Sequence, residues 1–330
     1  MKKQHPFYIN NKFYNEKKET VSIQLKDVIW HYISNIFNTN HLYESKKNNN
    51  EIPFNLAFDY FFLQLQKKTC NDIVIIPLGH ATVLILYKNK TILFDPLFST
   101  SSVFLKRYAN TIKIQELPQI DMIVFSHNHP DHYNKNTLLQ ILDLWPYAQI
   151  FAPLGFDIFL KKENINIEYL TTMTWWDNRT IFANTIQLMA LPTIHWSQSN
   201  MTNRNETLWA SWMLTIDNIN IYFAGDTAYS NHFKSIKENF HTIDIACIPI
   251  APHKPKEIQI DSHMNIEQSF QSFLDLGSPY FIPIHWGVFA YGDEPLKEPM
   301  EKIIELFNNN NNIDKLKSTI INIPYFHKRN

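Results

Sequence analysis

Phe125-Ser126-His127-Asn128-His129-Pro130-Asp131-His132 is the stretch from which the rest of this 330-residue chain can be read. Four of its eight residues are potential metal ligands, spaced H-x-H-x-D-H. It follows Met122-Ile123-Val124-Phe125, a short apolar run with the character of a buried strand. Extended backbone points alternate side chains the same way, so His127 and His129 can share one ion. Pro130 breaks the extended path. Asp131 and His132 are then expected in the first turn of a helix running through Leu138, Leu139 and Leu142, facing a second ion. Imidazole and carboxylate suit zinc, manganese or iron. The chain holds 14 histidines, and three of them fall inside this stretch, a density that a chance polar loop does not explain. One loop cannot enclose two ions, so further ligands must come from elsewhere.

Outward from the loop, strand-like runs alternate with turns. Ile73-Val74-Ile75-Ile76 leads to Leu78-Gly79-His80. Val83 to Tyr87 turns at Lys88-Asn89-Lys90 into Thr91 to Phe94, which ends in Asp95-Pro96. Gln149 to Pro153 is the next strand, and Thr185 to Leu191 runs toward His195. Leu208 to Ile216 and Ile219 to Phe223 form a hairpin ending in Gly225-Asp226. Ile243 to Pro249 is a strand, Asn265 to Leu276 a helix, and Tyr280 to Ile284 a strand ending in His285. A strand end therefore delivers a His or Asp at Asp95, His127, His195, Asp226 and His285. A lone His195 or His285 is more often a satisfied structural histidine. Five such endings alongside H-x-H-x-D-H favour ligands converging on one edge of a rigid scaffold. Asp95 and His80 suit a supporting role, holding ligand side chains from behind. Only six glycines occur, and Gly79, Gly225 and Gly287 adjoin these motifs, where only glycine is expected to fit.

Composition narrows the class. A net charge of -1 gives no electrostatic footprint for nucleic acid. Cys70 and Cys247 form neither a disulfide framework nor a paired metal motif. The N-terminus shows no apolar leader and no run spans a bilayer, so the expected location is the cytoplasm or the inner face of a membrane, held peripherally. Residues 1 to about 24 are expected to be irregular. Residues 25–37 place Leu25, Ile29, Ile33, Ile36 and Phe37 on one helical face, and residues 54–66 do the same with Phe54, Phe58, Phe61, Phe62 and Leu65. These make residues 1–70 a helical extension wrapped on a domain of residues 71–330. The faces pack on that domain, or part of them contacts lipid.

Together these pieces resemble the metallo-β-lactamase fold. More narrowly they resemble the bacterial branch of N-acylphosphatidylethanolamine-hydrolysing phospholipase D. The narrower likeness rests on Gly79-His80-Ala81-Thr82, Asp95-Pro96-Leu97-Phe98, Pro153-Leu154-Gly155, Trp175-Trp176, His195-Trp196, Leu208-Trp209-Ala210-Ser211-Trp212, Phe223-Ala224-Gly225-Asp226-Thr227, His285-Trp286-Gly287 and Asp293-Glu294-Pro295-Leu296. The resemblance implies an α/β protein, an αββα sandwich with the N-terminal helical extension, and two divalent ions, zinc first, at one edge. It implies His127, His129 and His195 on one ion, Asp131, His132 and His285 on the other, Asp226 bridging, and His263 near the substrate. Asp131, Asp226 and His263 would carry the chemistry on a phospholipid substrate. The chain departs from the family at Pro130, often Tyr, and at Pro252-His253-Lys254-Pro255, where a Tyr-Glu-Pro-Arg-like stretch is usual. A soluble phosphodiesterase or lactonase of the same superfamily is the alternative enzyme. A non-catalytic lipid- or protein-binding module is the alternative from another class.

Overall fold

The structure is a computed structural model and describes residues 3–15, 72–99, 107–108, 112–183 and 185–328. The helices expected over 25–37 and 54–66, and Cys70, lie outside the described residues.

Two sheets face each other. One has seven strands, ordered β15-β3-β4-β5-β6-β7-β8. These are β3 (Ile73–Gly79), β4 (Thr82–Tyr87), β5 (Lys90–Phe94), β6 (Met122–Val124), β7 (Gln149–Pro153), β8 (Leu170–Met173) and β15 (Tyr325–His327). The other has six, ordered β14-β13-β12-β11-β10-β9. They are β9 (Asn178–Ile181), β10 (Ile186–Leu191), β11 (Ser211–Ile216), β12 (Ile219–Phe223), β13 (Ile245–Pro249) and β14 (Tyr280–Ile284). Strand alternation divides the apolar residues into layers. Ile73, Ile75, Ile92 and Phe94 meet Leu188, Trp212, Leu214 and Phe223 between the sheets. Val74, Ile76, Leu93 and Ile123 turn outward under α1 (Lys135–Leu144) and α2 (Phe156–Lys162). Tyr222, Ala246, Ile248 and Phe281 turn outward under α3 (His232–Asn239), α4 (Ile266–Leu276) and α5 (Glu298–Asn309). The result is the αββα sandwich. Among the described residues no helix is long and apolar enough to cross a membrane.

Parallel pairing sets where the loops emerge. β5, β6, β7 and β8 run parallel, as do β12, β13 and β14. Their carboxyl ends therefore open on common edges, the usual place for a ligand in such sheets. Asp95, Ser126, Asp226 and His285 follow directly or nearly so from β5, β6, β12 and β14.

Local departures from the sequence expectations have physical causes. Asp131 and His132 do not enter a helix. The amides of His132 and Tyr133 both donate to the His129 carbonyl, at 3.0 and 2.9 Å, closing a turn. Asn134 then caps α1, its side chain accepting from Thr137 N at 2.9 Å. Leu138 is buried on that helix but Leu139 faces out. β11 starts at Ser211 and not Leu208, because Leu208 N and Ala210 N donate across to Leu154 O and Ser126 O of the first sheet. β13 starts at Ile245, later than Ile243. Residues 7–14 are ordered into a hairpin, β1 (Phe7–Ile9) and β2 (Lys12–Tyr14), and are not irregular. Asn10 and Asn11 supply the two positive φ angles, 50° and 59°, that a tight two-residue hairpin loop needs.

Candidate metal centre

Two groups of buried ligand-type side chains sit at the shared edge. His127, His129, His195 and Asp226 form one, and His80, Asp131, His132 and His285 the other, with the chosen donor atoms of each group within 4.8 Å of one another. In the first group His127 Nε2 lies 2.7 Å from His129 Nδ1, and His195 Nε2 lies 3.1 Å from the same Nδ1. His195 Nε2 is 3.7 Å from Asp226 Oδ2. In the second, Asp131 Oδ2 lies 3.5 Å from His132 Nε2 and 3.4 Å from His285 Nε2. Asp226 touches both groups: Oδ1 is 3.2 Å from His285 Nε2, and Oδ2 is 3.1 Å from His132 Nε2. Ligand atoms about 2.0–2.1 Å from a tetrahedral zinc lie about 3.3 Å apart, and the observed separations bracket that value.

The far nitrogens fix which lone pairs face inward. Carboxylates and carbonyls can only accept, so a ring nitrogen bonded to one must carry the proton. His132 Nδ1 donates to Asp95 Oδ2 at 2.7 Å, and His195 Nδ1 donates to the Ser262 carbonyl at 2.9 Å. Ser126 Oγ gives its proton to Asp95 Oδ2 at 2.6 Å, which leaves it to accept from His127 Nδ1 at 2.8 Å. His127 and His195 thus turn an Nε2 lone pair toward the common points, while His132 Nε2, 3.1 Å from Asp226 Oδ2, faces the same edge and would give up a proton to an incoming ion. His285 Nε2 and Asp226 Oδ1 are buried and, though 3.2 Å apart, form no well-aligned hydrogen bond to each other or to another described residue. Leaving such atoms unpaired costs about 1–3 kcal/mol each, unless a cation takes the lone pairs. The donor set and its orphaned atoms fit two divalent ions.

The electrostatics point the same way. Burial, then the neighbouring imidazoles, hold His127 well below its ordinary value. Burial pushes His129 and His195 down to about 3, so both are neutral and ready to coordinate. Burial opposes charge on Asp131 and Asp226 too, but His132 and the other facing imidazoles keep both well below the usual carboxylate range. His132 and His285 show the converse. Burial would lower them, yet Asp226 and Asp131 raise His132 well above its ordinary value and His285 to about 9.

The supporting residues stand behind these groups. His80 Nε2 donates to Asp131 Oδ2 at 2.8 Å, and its ring lies 3.8 Å from that of His285, centroid to centroid. Asp95 accepts from three donors: Ser126 N, Ser126 Oγ and His132 Nδ1. His263 places Nδ1 3.9 Å from Asp226 Oδ2. Sequence reasoning missed Ser126, Ser262 and Asn15. Asn15 is buried; its Nδ2 donates to the His195 carbonyl at 3.2 Å, and its Oδ1 accepts from Trp209 Nε1 at 3.0 Å. Ser126 directly precedes the first ligand, a position that could have singled it out. Ser262 acts through its carbonyl and Asn15 lies far off in sequence, so neither left a signal. Trp175, Trp209 and Trp212 are core, while Trp196 sits against His129 with ring centroids 4.3 Å apart.

Comparison with known proteins agrees with this geometry. The family model described as the β-lactamase superfamily domain matches residues 90–286. N-acyl-phosphatidylethanolamine-hydrolyzing phospholipase D 1 of Caenorhabditis elegans is 31% identical over 244 residues, 70% of this chain and 68% of that protein. The mitochondrial protein of the same activity name from Saccharomyces cerevisiae is 30% identical over 239 residues, 68% of this chain but 50% of its own length. Among solved structures, the metallo hydrolase Igni18 of Ignicoccus hospitalis superposes with a TM-score of 0.58 at 16% identity, covering 79% of this chain and 100% of that one. The superfamily model covers β5 to β14 with every ligand-type residue but His80, and the first relative covers 70% of the chain, so the chain belongs to the metallo-β-lactamase superfamily and is a metal-dependent hydrolase.

Proposed function

We infer that this hydrolase cleaves the phosphodiester of N-acylphosphatidylethanolamine or a closely related phospholipid, giving phosphatidic acid and an N-acylethanolamine. What supports the reading is similarity to two proteins named for that activity in a chain that brings two groups of buried ligand-type residues together. When bound, a pair of divalent ions supplies Lewis acidity, making water nucleophilic at neutral pH and drawing in a phosphoryl oxygen. The water oxygen bonds to phosphorus, the bond from phosphorus to the ethanolamine oxygen breaks, and that oxygen leaves with a proton. His127, His129, His195 and Asp226 would hold one ion, and Asp131, His132, His285 and Asp226 the other. Asp95 and Ser126 keep the imidazoles turned inward. Burial pushes His263 down to about 3, so its ring is neutral at pH 7 and serves as a hydrogen-bond donor to a substrate oxygen and not as a charged acid. Pro252 and Tyr291 line a cavity beside His285 and belong to the wall a lipid headgroup would meet.

The test is a substrate panel on metal-analysed protein: N-acylphosphatidylethanolamine in detergent micelles, a soluble aryl phosphodiester and a lactone. Mass spectrometry should find N-acylethanolamine and phosphatidic acid in equal amounts, abolished by chelation and restored by zinc or manganese. Turnover of the lactone alone, or of the soluble diester with none on the lipid, would overturn the lipid reading.

A further inference from the structure

The β1–β2 hairpin is tied to the metal edge but leaves all three residues of β1 exposed. Strand register pairs Phe7 with Tyr14, Tyr8 with Phe13 and Ile9 with Lys12. Side chains alternate across a strand, so Tyr8 and Phe13 share one face. Their rings lie 4.6 Å apart at a tilt of 44°; Phe13 is buried, whereas Tyr8 is 57% exposed. The other face carries Phe7, Ile9, Lys12 and Tyr14. Phe7 is 41% exposed and Ile9 37%.

Beside it stands a second apolar projection. Phe13 N donates to Asn205 O at 2.8 Å, joining the hairpin to the loop 197–205. Asn203 Oδ1 accepts from Ser199 N and Asn200 N, both at 3.0 Å, and this fixes the loop with Met201 at its tip, 81% exposed. A braced loop that holds a methionine out in water gains nothing within the fold. The charge pattern is equally one-sided. Residues 3–15 contain Lys3 and Lys12 and no acid, and residues 195–205 contain Arg204 and no acid; Glu206, next along the chain, is paired with Lys162 at 2.7 Å. Apolar projections rimmed by cations match the interface of an anionic bilayer.

Connection to the site is continuous. Arg204 lies over the Trp196 ring at 4.3 Å, and Trp196 packs on His129. Asn15, just beyond β2, bonds the His195 carbonyl. Gln4 O accepts from Trp176 Nε1 at 2.6 Å, pinning the hairpin's approach.

We propose that the exposed side chains of β1, Phe7, Tyr8 and Ile9, together with Met201, form the surface on which this enzyme docks to an anionic lipid bilayer, bringing the metal edge to its substrate. This rests on the phospholipid reading above; the helical faces expected at Phe58, Phe61 and Phe62 lie outside the described residues.

The experiment is flotation of the full chain with phosphatidylcholine vesicles, with and without phosphatidylglycerol. Wild type should float with the anionic vesicles. A Phe7→Ser, Ile9→Ser, Met201→Ser variant should lose at least about tenfold in binding, with melting temperature and soluble-diester turnover unchanged. A Lys3→Glu, Lys12→Glu variant should lose about fivefold per lysine on anionic vesicles and little on neutral ones. Wild type that hydrolyses the micellar lipid but does not float refutes the docking and leaves the function standing. Wild type that floats without hydrolysing any phospholipid supports the docking and refutes the function. Undiminished binding by the triple variant overturns the proposal. So does a fall in its melting temperature, which would mean the face is packed within the chain, or a change in oligomeric state, which would mean a second copy covers it.

Discussion

Asp95→Asn is the sharpest probe of how the centre is held. The carboxylate is buried and meets three donors, Ser126 N at 2.6 Å, Ser126 Oγ at 2.6 Å and His132 Nδ1 at 2.7 Å. An amide of the same shape has one acceptor oxygen. If that oxygen stays with Ser126 N, the new NH2 meets two donors head-on. Ser126 Oγ can rotate its proton away, but His132 escapes only by moving its proton to Nε2, the atom that faces the second ion position. That tautomer cannot coordinate. Losing one charge-assisted bond costs about 1.5–3 kcal/mol, in line with the 10–100-fold loss of affinity that follows removal of such supporting groups. The second ion should therefore weaken by about that factor while the first is nearly unaffected. Zinc content of the dialysed variant should fall toward one per chain, and competition against a chromogenic chelator should resolve one weakened step. Two ions retained at wild-type affinity would refute the tautomer argument, and His132 would then owe its orientation to packing alone.

Asp226→Asn removes the carboxylate that touches both groups, and elemental analysis should show reduced occupancy at both positions; one position left intact would contradict the bridging geometry. Gly225→Ala should destabilise by several kcal/mol in a chemical denaturation series, because φ is +58° and the added Cβ would lie 2.6 Å from Ser126 Cβ, so a wild-type midpoint would mean the two loops can part freely. In the metal-free chain His285 is raised from 6.5 to about 9, so the stability this lends is fully present below pH 6.5 and is lost as pH rises through about 9. An incoming ion must displace that proton, so calorimetry at neutral pH in buffers of differing ionisation enthalpy should detect proton release, and none would show that the ring is already neutral.

The first layer of the centre was legible because its residues announce themselves by spacing and by position at strand ends. His127 and His129 alternate in extended chain, and Asp226 and His285 follow strands whose apolar runs are unmistakable. Asn265 also marked its helix, capping it reciprocally with Gln268 before Gly277 ends it in the left-handed region. The turn at Asp131 was misread because Asn134, not Asp131, wins the cap. The hairpin at 7–14 was misread because an Asn-Asn turn carries no glycine and its strands are only three residues long. Asn15 was invisible for a different reason: its partner lies 180 residues away, and no local pattern encodes such a contact.

That every ligand group draws on both sheets has a mechanical consequence. His129 faces His195 across 66 residues of chain, and His132 faces Asp226 across 94. An ion held by both partners is a removable staple between the two halves of the sandwich. In the unfolded chain those partners are dispersed, so the ion binds the native state and deepens it by RT ln(1 + [metal]/Kd), about 2.7 kcal/mol when free metal is a hundred times Kd. The staple closes long loops, so its loss would be felt as an earlier parting of the sheets at the active edge while each sheet keeps its own helices. Scarcity of metal would then expose the seam between the layers to proteolysis, making the lifetime of the chain a readout of the metal supply it depends on for turnover.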